Sequence, residues 1–135
     1  MIVADSSAIA KYLLREEGWR SVEEYLVKGV YSLDLVVVEV ANAIWKHSAV
    51  RKLISADLGL RLFQQLKRLV TEGVVKLENQ LKYIDSAMDI ALSRRVPIYD
   101  ALFIAQALRY GELLTSDRDQ ARVASDLGVK VYLVD

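Results

Sequence analysis

Apolar residues along the chain recur in two patterns. Short runs rich in Val, Leu and Ile, without strict alternation, are typical of strands buried on both faces of a sheet. Longer stretches with apolar residues every three or four positions predict amphipathic helices. The predicted strands are residues 1–5, 30–33, 74–77, 112–117 and 129–135. The predicted helices are residues 6–18, 19–28, a helix within 33–45 that carries Glu39, 55–71, 81–95, 99–110 and 118–128.

Residues that cap or break helices set the expected boundaries. Pro97 breaks the chain before the helix 99–110, and Gly111 ends that helix. Ser32 or Asp34 is expected to cap the helix that carries Glu39. The helix 81–95 is expected to present one apolar face formed by Ile84, Ala87, Met88, Ala91 and Leu92.

The alternation of strands with helices predicts an α/β fold with a parallel sheet covered on both faces. The length of 135 residues fits a single domain, residues 1–135. Ligands of such sheets bind beyond the carboxyl ends of the strands. Asp5 and Asp117, the last residues of two predicted strands, are therefore expected at that edge.

Composition excludes several kinds of site. Cysteine is absent, which rules out disulfides, cysteine nucleophiles and cysteine zinc sites, and the single histidine, His47, makes a Ser-His-Asp triad doubtful. No apolar run is long enough for a membrane span, and no basic region precedes the first apolar stretch, so we expect a cytoplasmic protein. The net charge is zero, so bulk charge gives no indication of nucleic-acid binding.

Four acids lie where the pattern predicts buried surface. Glu39 lies inside LDLVVVEVANAIW with no Lys or Arg within six residues on either side. Asp100 shares a predicted helix face with Phe103 and Ile104. Asp5 and Asp117 follow apolar strands. Burying a carboxylate without a partner costs several kcal/mol, so protonation or a bound cation must offset the charge.

Each acid also has an ordinary structural interpretation. Asp5 and Asp117 could cap helices or form turns, and Asp100 could interact with its helix dipole. Glu39 could face solvent if its helix is only half covered. The presence of all four favours a site for hard divalent cations such as Mg²⁺ or Mn²⁺, which prefer oxygen ligands.

The same residues resemble the motifs of PIN-domain ribonucleases of the small VapC toxin type. IVADSSAIAKYL resembles the first motif with Asp5, LDLVVVEVANAIWK the second with Glu39, VPIYDALFIAQAL the third with Asp100, and LLTSDRDQA the fourth with Asp117. The resemblance covers nearly the whole chain. It implies a three-layer α/β/α fold with a central parallel sheet and cleavage of RNA that depends on Mg²⁺ or Mn²⁺.

The resemblance also implies roles for residues. Asp5, Asp100 and Asp117 would hold the ion, and Glu39 would complete the site as a ligand or by orienting the attacking water. Asp119 is a second-choice metal residue. Ser6, Thr115 and Arg118 are candidates for support of the acids or the phosphate, although Ser6 and Thr115 fit capping and turn roles as well. Candidate RNA contacts are Lys11, Arg15, Lys46, Arg51, Lys52 and Arg118.

Partners also follow from the resemblance. A cognate antitoxin that blocks the acidic pocket and a homodimer are both expected. Trp19, Tyr25, Trp45 and Phe63 could serve such contacts, although we expect most of them in the core.

Two other functions remain open from the sequence. One is a phosphoryl-transfer domain on a similar sheet, which fits less well because Ser7 stands where a haloacid-dehalogenase-type phosphatase would have a second Asp. The other is an interaction module with a PIN-like fold and no catalysis. The complete set of four acids argues against the second function.

Overall fold

The computed structural model describes all residues from 1 to 135 and contains five strands and seven α-helices. The strands are β1 (Val3–Ala4), β2 (Val30–Leu33), β3 (Val75–Glu78), β4 (Glu112–Thr115) and β5 (Lys130–Leu133). The helices are α1 (Ser6–Leu13), α2 (Trp19–Leu26), α3 (Leu35–Trp45), α4 (Ala56–Thr71), α5 (Ile84–Arg94), α6 (Ile98–Tyr110) and α7 (Arg118–Asp126). A π-helical segment, Lys46–Val50, continues α3, and a 3₁₀ turn, Gln80–Tyr83, precedes α5. No helix combines the length and the apolarity that crossing a membrane requires.

The five strands form one parallel sheet in the order β3-β2-β1-β4-β5. The helices cover both faces, so the predicted three-layer α/β/α fold is confirmed. Strand β1 lies in the middle, where Val3 pairs with Tyr31 of β2 on one side and Leu113 of β4 on the other. The order of connection reverses between β1 and β4, and such a reversal opens a crevice at the carboxyl ends of the strands.

The core explains why the strands read as continuous apolar runs. Val3 and Ala4 of β1 are both fully buried, because side chains on both faces of the central strand contact helices. Most helices contribute one face to the core, including the fully buried Ile9 of α1 and Val40 of α3. Helix α6 is buried on all sides from Ala101 to Ala107. The last residues of β1 and β4, Ala4 and Thr115, are also fully buried. Residues that directly follow these two strands therefore begin at the edge of the core.

Strands β1 and β4 are shorter than the sequence predicts. Asp5 and Asp117 do not end these strands; both begin the helices that follow. The Asp5 side chain accepts the N–H of Ala8, and the Asp117 side chain accepts the N–H groups of Asp119 and Gln120. The prediction that the two aspartates are strand residues is wrong, because N–H groups at a helix start attract a carboxylate.

Of the two predicted caps of α3, Asp34 occupies the N-cap position but makes no side-chain cap bond, and Ser32 does not cap the helix. The Ser32 hydroxyl donates to the carbonyl of Ala4, and Asp34 has helical torsions without a side-chain cap bond. The Asp34 carboxylate instead accepts the N–H of Gln80 from a distant segment. A partner from elsewhere in the chain has replaced the local cap.

The expected apolar face of α5 is largely exposed. Met88 is 48% exposed and Leu92 is 71% exposed, whereas Ala87 and Ile90 are buried. Helix α5 packs mainly against α6, and only a narrow stripe of α5 fits that contact. The residues form one apolar stripe as predicted, but only the side with Ala87 and Ala91 reaches the core.

Candidate active site

A cavity of about 280 Å³ lies beyond the carboxyl ends of β1 and β4, and all four acids from the sequence pattern line it. Its lining consists of Asp5, Ser6, Ser7, Ala10, Glu39, Asn42, Ala43, Lys46, Asp100, Phe103, Asp117 and Gln120. These residues come from α1, α3, α6 and α7 and from the turns that follow two strands. The tertiary structure therefore brings together acids separated by up to 112 positions, from Asp5 to Asp117.

Asp5 is buried, with 2% of its surface exposed. Its Oδ1 accepts the Ala8 N–H at 3.0 Å and the Ser7 hydroxyl at 2.7 Å, and its Oδ2 accepts the Thr115 hydroxyl at 2.5 Å. Burial raises the pKa of Asp5 from 3.8 to about 6, although these three hydrogen bonds favour the ionised form. The carboxylate is held rigidly but carries a desolvation cost that a cation would offset.

Glu39 lies half-buried on α3, between the buried side chains of Val36 and Val40. The Ser6 hydroxyl at the start of α1 donates to Glu39 Oε1 at 2.7 Å. Helices α1 and α3 pack together, and this bond joins them at the cavity. The Glu39 side chain therefore lies in the cavity with Asp5 and does not point freely into solvent.

Asp100 and Asp117 complete the ring of acids. Asp100 is half-buried in the first turn of α6, where burial and then the negative charges of Asp117, Glu39 and Asp119 raise its pKa from 3.8 to about 6. Asp117 uses Oδ1 to accept both N–H groups that begin α7. Burial and the neighbouring negative charges both favour the protonated form of Asp100, and a bound cation would offset both.

No ion pair neutralises these acids. None of the four takes part in a salt bridge, and Lys46, which is exposed, is the only basic residue that lines the cavity. Their charge is therefore in excess within a partly buried space.

Glu78, at the end of β3, shows how the same fold treats a structural acid. It accepts hydrogen bonds from Tyr83 at 2.6 Å and Gln106 at 3.0 Å, and it pairs with Lys82 at 3.0 Å. Burial opposes ionisation, but these donors hold the pKa of Glu78 down at about 2. None of the four cavity acids has a cationic partner such as Lys82.

The donor set of the cavity fits a hard divalent cation. Every acidic ligand offers carboxylate oxygen, and neither histidine nor cysteine lines the space. No three acids or histidines converge closely enough to form a finished cage. Mg²⁺ is commonly held by one or two carboxylates and keeps several waters, so an open ring of carboxylates suits it better than it suits a structural zinc.

The supporting residues divide into two groups. Ser6 and Thr115 each donate to a cavity acid, as described above. Asp119 has a side chain that is 79% exposed and pairs with Arg122 at 3.4 Å, outside the cavity lining. Arg118 pairs with Asp135, near the end of the chain, and not with its two neighbouring aspartates. The expectation that Arg118 faces the site is not met.

The candidate RNA contacts also separate. Lys46 lines the cavity, and Arg51 lines a neighbouring groove that shares Lys46 with it. Lys11 donates to the carbonyl of Glu17, and Arg15 stacks on Trp19 with 4.0 Å from its guanidinium carbon to the ring centre. Lys52 is exposed and lines neither space. Of the six candidate basic residues, therefore, only Lys46 lines the acid cavity, and only Lys46 and Arg51 line the adjoining groove.

Three polar residues that line the cavity were not among the candidates from the sequence. They are Ser7, Asn42 and Gln120. Ser7 links both sides of the site, because its hydroxyl donates to Asp5 and accepts the N–H of Ser116 at 2.9 Å. Gln120 stands three positions after Asp117, and that spacing is typical of a capping box. The spacing was the one available signal for Gln120.

The raised pKa of Asp5 predicts a pH effect on the protein without metal. Its carboxyl binds a proton more tightly in the folded state (pKa about 6) than at its ordinary value of 3.8. The contribution of Asp5 to the free energy of unfolding is therefore fully present below about pH 4 and is lost as pH rises through about 6. We expect Asp5→Asn, which mimics the protonated acid, to gain on the order of 2 kcal/mol over the wild type across this range.

Urea unfolding in EDTA between pH 4 and pH 7 measures this difference. The charge of Asp117 also raises the pKa of Asp5, and Asp100, Glu39 and Lys46 line the same cavity. Because salt screens these charges, both proteins are measured in the same buffer at the same salt concentration. A constant difference between the two proteins over the whole range would show that Asp5 is not desolvated.

Comparison with known proteins identifies the class. The family model of the PIN domain matches residues 2–126. The chain belongs to the PIN-domain family. It is 33% identical over 123 residues to Ribonuclease VapC3 of Pyrobaculum aerophilum, an alignment that covers 89% of this chain and 92% of that protein. The VapC-type resemblance predicted from the sequence motifs is confirmed.

The fold has a counterpart among solved structures. The crystal structure of PAE2754 from Pyrobaculum aerophilum superposes with a TM-score of 0.68 and covers 96% of this chain and 87% of that one. The two sequences are 21% identical, so this likeness concerns the fold alone. Membership of the PIN family also disfavours the phosphoryl-transfer alternative.

Proposed function

We propose that this VapC-type endoribonuclease hydrolyses RNA phosphodiester bonds with Mg²⁺ or Mn²⁺ held by Asp5, Glu39, Asp100 and Asp117. The observation that carries the proposal is the convergence of these four acids on one cavity without a basic ion-pair partner. A substrate phosphate is itself negative, so it can approach such a cavity only when a cation offsets the acids. Membership of the PIN family supports the same reading.

The cation would stabilise negative charge on the phosphate and lower the pKa of the attacking water. In hydrolysis the water oxygen bonds to phosphorus, one ester bond to phosphorus breaks, and a proton from water reaches the leaving oxygen. Asp5, Asp100 and Asp117 would hold the cation. Glu39, fixed by the Ser6 hydroxyl, would be a further ligand or would orient the attacking water. Asp119 is a weaker candidate because it is exposed and pairs with Arg122.

Ser7 and Thr115 would keep Asp5 in one orientation. Both hydroxyls donate to it, and each also accepts a backbone N–H from the segment 116–117. These bonds tie the start of α1 to the start of α7 across the sheet. A carboxylate held this way needs little reorganisation when a cation binds, which favours tight and specific geometry.

RNA would enter along the side of the cavity that carries Lys46. The groove next to the cavity has a volume of about 190 Å³, and Lys46, His47 and Arg51 line it. Lys46 and Arg51 could contact phosphates on either side of the scissile bond, and such contacts are sequence-independent. Lys46 and His47 belong to the π-helical segment that continues α3, and π-helical turns are frequent at functional sites.

A cognate antitoxin and a second copy of the chain would be the protein partners. An apolar groove between α3 and α4, lined by Ile44, Trp45, Leu60 and Phe63, supports antitoxin docking, because Trp45 is 55% exposed and α3 also carries Glu39. The exposed apolar residues of α5 support a homodimer. A toxin that cleaves cellular RNA would act in the cytoplasm.

The test of the function is RNA cleavage by the purified chain, free of any antitoxin. We expect single-stranded RNA to be cut in Mn²⁺ or Mg²⁺, and cutting to stop when EDTA is added and resume when the cation is restored. Gel analysis of a labelled oligonucleotide measures the rate. Cleavage at the same rate in EDTA would contradict a metal-dependent mechanism, and no cleavage under any cation would favour an interaction module.

A further inference from the structure

Gln120 is a buried polar residue of the acid cavity with an amide that the protein leaves unpaired. It is 3% exposed, it lines the cavity, and its Nε2 has no acceptor within hydrogen-bond distance. A buried donor without a partner is costly. A hydrogen-bond acceptor that enters the cavity would offset this cost.

The local sequence makes the unpaired amide unexpected. Asp117 and Gln120 have the spacing of a capping box, in which the Gln side chain accepts the N–H of the capping residue. Here the N–H of Asp117 donates to the Thr115 hydroxyl at 3.0 Å. Asp117 still caps α7 and accepts the backbone N–H of Gln120 at 3.0 Å. One hydrogen bond of the capping box is therefore formed. The other, from the Asp117 N–H to the Gln120 side chain, is replaced by the bond to Thr115.

Other donors that line the cavity are already used or are exposed. The hydroxyl protons of Ser6 and Ser7 bind Glu39 and Asp5. Asn42 and Lys46 are exposed at its edge. The Gln120 Nε2 is enclosed in this orientation. A half-turn of the terminal amide, which exchanges Nε2 with Oε1 at low cost, would bring the NH₂ group toward the cavity that Gln120 lines.

We propose that the Gln120 amide donates a hydrogen bond to a non-bridging oxygen of the RNA phosphate in the cavity. The inference rests on the proposed nuclease function, because that function brings a phosphate beside the four acids. A neutral donor suits this position. A fifth acid there would repel the phosphate, and a lysine or arginine would pair with the carboxylates and compete with the cation. Gln120 is thus a substrate-binding residue, and the acids remain the metal residues.

The test compares the wild type with Gln120→Met, which keeps the length of the side chain and removes the amide. Without metal, we expect the melting temperature of Gln120→Met to rise by roughly 3 to 6 °C, because the unpaired buried group is gone. The rise in melting temperature caused by Mg²⁺ or Mn²⁺ alone should equal that of the wild type. The affinity for uridine 5′-monophosphate in Mg²⁺ should fall about 10-fold.

Gln106→Met is the matched control. Gln106 is also buried on a helix and its Oε1 is unpaired, but its Nε2 donates to the Ser32 carbonyl and to Glu78, away from the cavity. We expect this control to lose melting temperature and to keep the wild-type affinity for the nucleotide. Gln120→Met should therefore gain stability and lose nucleotide affinity, whereas Gln106→Met should lose stability and keep its affinity. A general loss of structure would not produce this pattern.

The outcomes separate this inference from the function on which it rests. Equal nucleotide affinity of the wild type and Gln120→Met would overturn the role of Gln120, and so would an unchanged melting temperature. A weaker response of Gln120→Met to the metal alone would also overturn it, since the amide would then serve the ion. A wild type that binds the nucleotide through Gln120 but never cleaves RNA would leave the inference standing and remove the nuclease function.

Discussion

Replacing Asp100 by asparagine is expected to abolish most of the stabilisation by Mn²⁺ and to lower RNA cleavage by about 100-fold or more. In the wild type, Mn²⁺ at 100 times its dissociation constant should raise the melting temperature on the order of 10 °C, because the ion binds only the folded state. Asparagine keeps the shape of the side chain and removes its charge. Asp100 repels Asp117 and Glu39 without a cation, so the variant should be at least as stable as the wild type in EDTA.

Asp85→Asn is the control for this experiment. Asp85 lies in the first turn of α5, as Asp100 lies in the first turn of α6, but it is exposed and does not line the cavity. Differential scanning fluorimetry with increasing Mn²⁺ gives both shifts. If Asp100→Asn and Asp85→Asn respond to Mn²⁺ as the wild type does, Asp100 is not a metal residue.

The Asp5→Asn variant is expected to cleave RNA at least about 100-fold more slowly than the wild type while remaining folded. Asparagine can still accept the Ala8 N–H and the Ser7 hydroxyl at Oδ1. Its NH₂ group would face the Thr115 hydroxyl, which must then rotate to accept. The buried charge is removed, so the melting temperature in EDTA at pH 7.5 should not fall. Cleavage of a labelled RNA and a melting curve, measured on the same sample, test both parts.

Asp34→Asn provides the comparison at the same edge of the sheet. Asp34 follows β2 as Asp5 follows β1, but it is exposed and its carboxylate accepts the N–H of Gln80. We expect this variant to keep wild-type cleavage. Wild-type cleavage by Asp5→Asn would falsify the assignment of Asp5 to the site, whereas loss of activity in both variants would point to a disturbed sheet edge.

Local pattern predicted most of the fold. Apolar runs fixed the position of all five strands, and the periodic stripes fixed the helices, because burial on two faces or on one face leaves different periods in sequence. The predictions failed at boundaries and at exposure. Asp5 and Asp117 follow apolar runs and are predicted strand ends, but both cap helices. Met88 belongs to a regular apolar stripe, but it is 48% exposed. An apolar pattern does not show where a strand gives way to a helix cap. It also does not show what fraction of a helix surface is buried by neighbouring elements.

The acids could be selected from sequence because a carboxylate without a nearby base is costly on a buried face. Glu39 was the clearest example, since no Lys or Arg lies within six residues. Their hydrogen-bond partners could not be selected in the same way. Ser6 reaches Glu39 across 33 positions, and Thr115 reaches Asp5 across 110. Serine and threonine near a helix start are common, so local pattern gives them no distinguishing signal.

The sequence by itself determined the alternation of strands and helices, the parallel sheet and the four acids that follow or interrupt its apolar segments. Only the tertiary structure decided that Arg118 pairs with Asp135 instead of facing the acids, and that the Gln120 amide is left without a partner. The physical reason is the range of the interactions. Periodicity and burial are properties of neighbouring residues, whereas the pairing of a charge or a hydrogen bond depends on which distant segment the fold brings within about 3 Å.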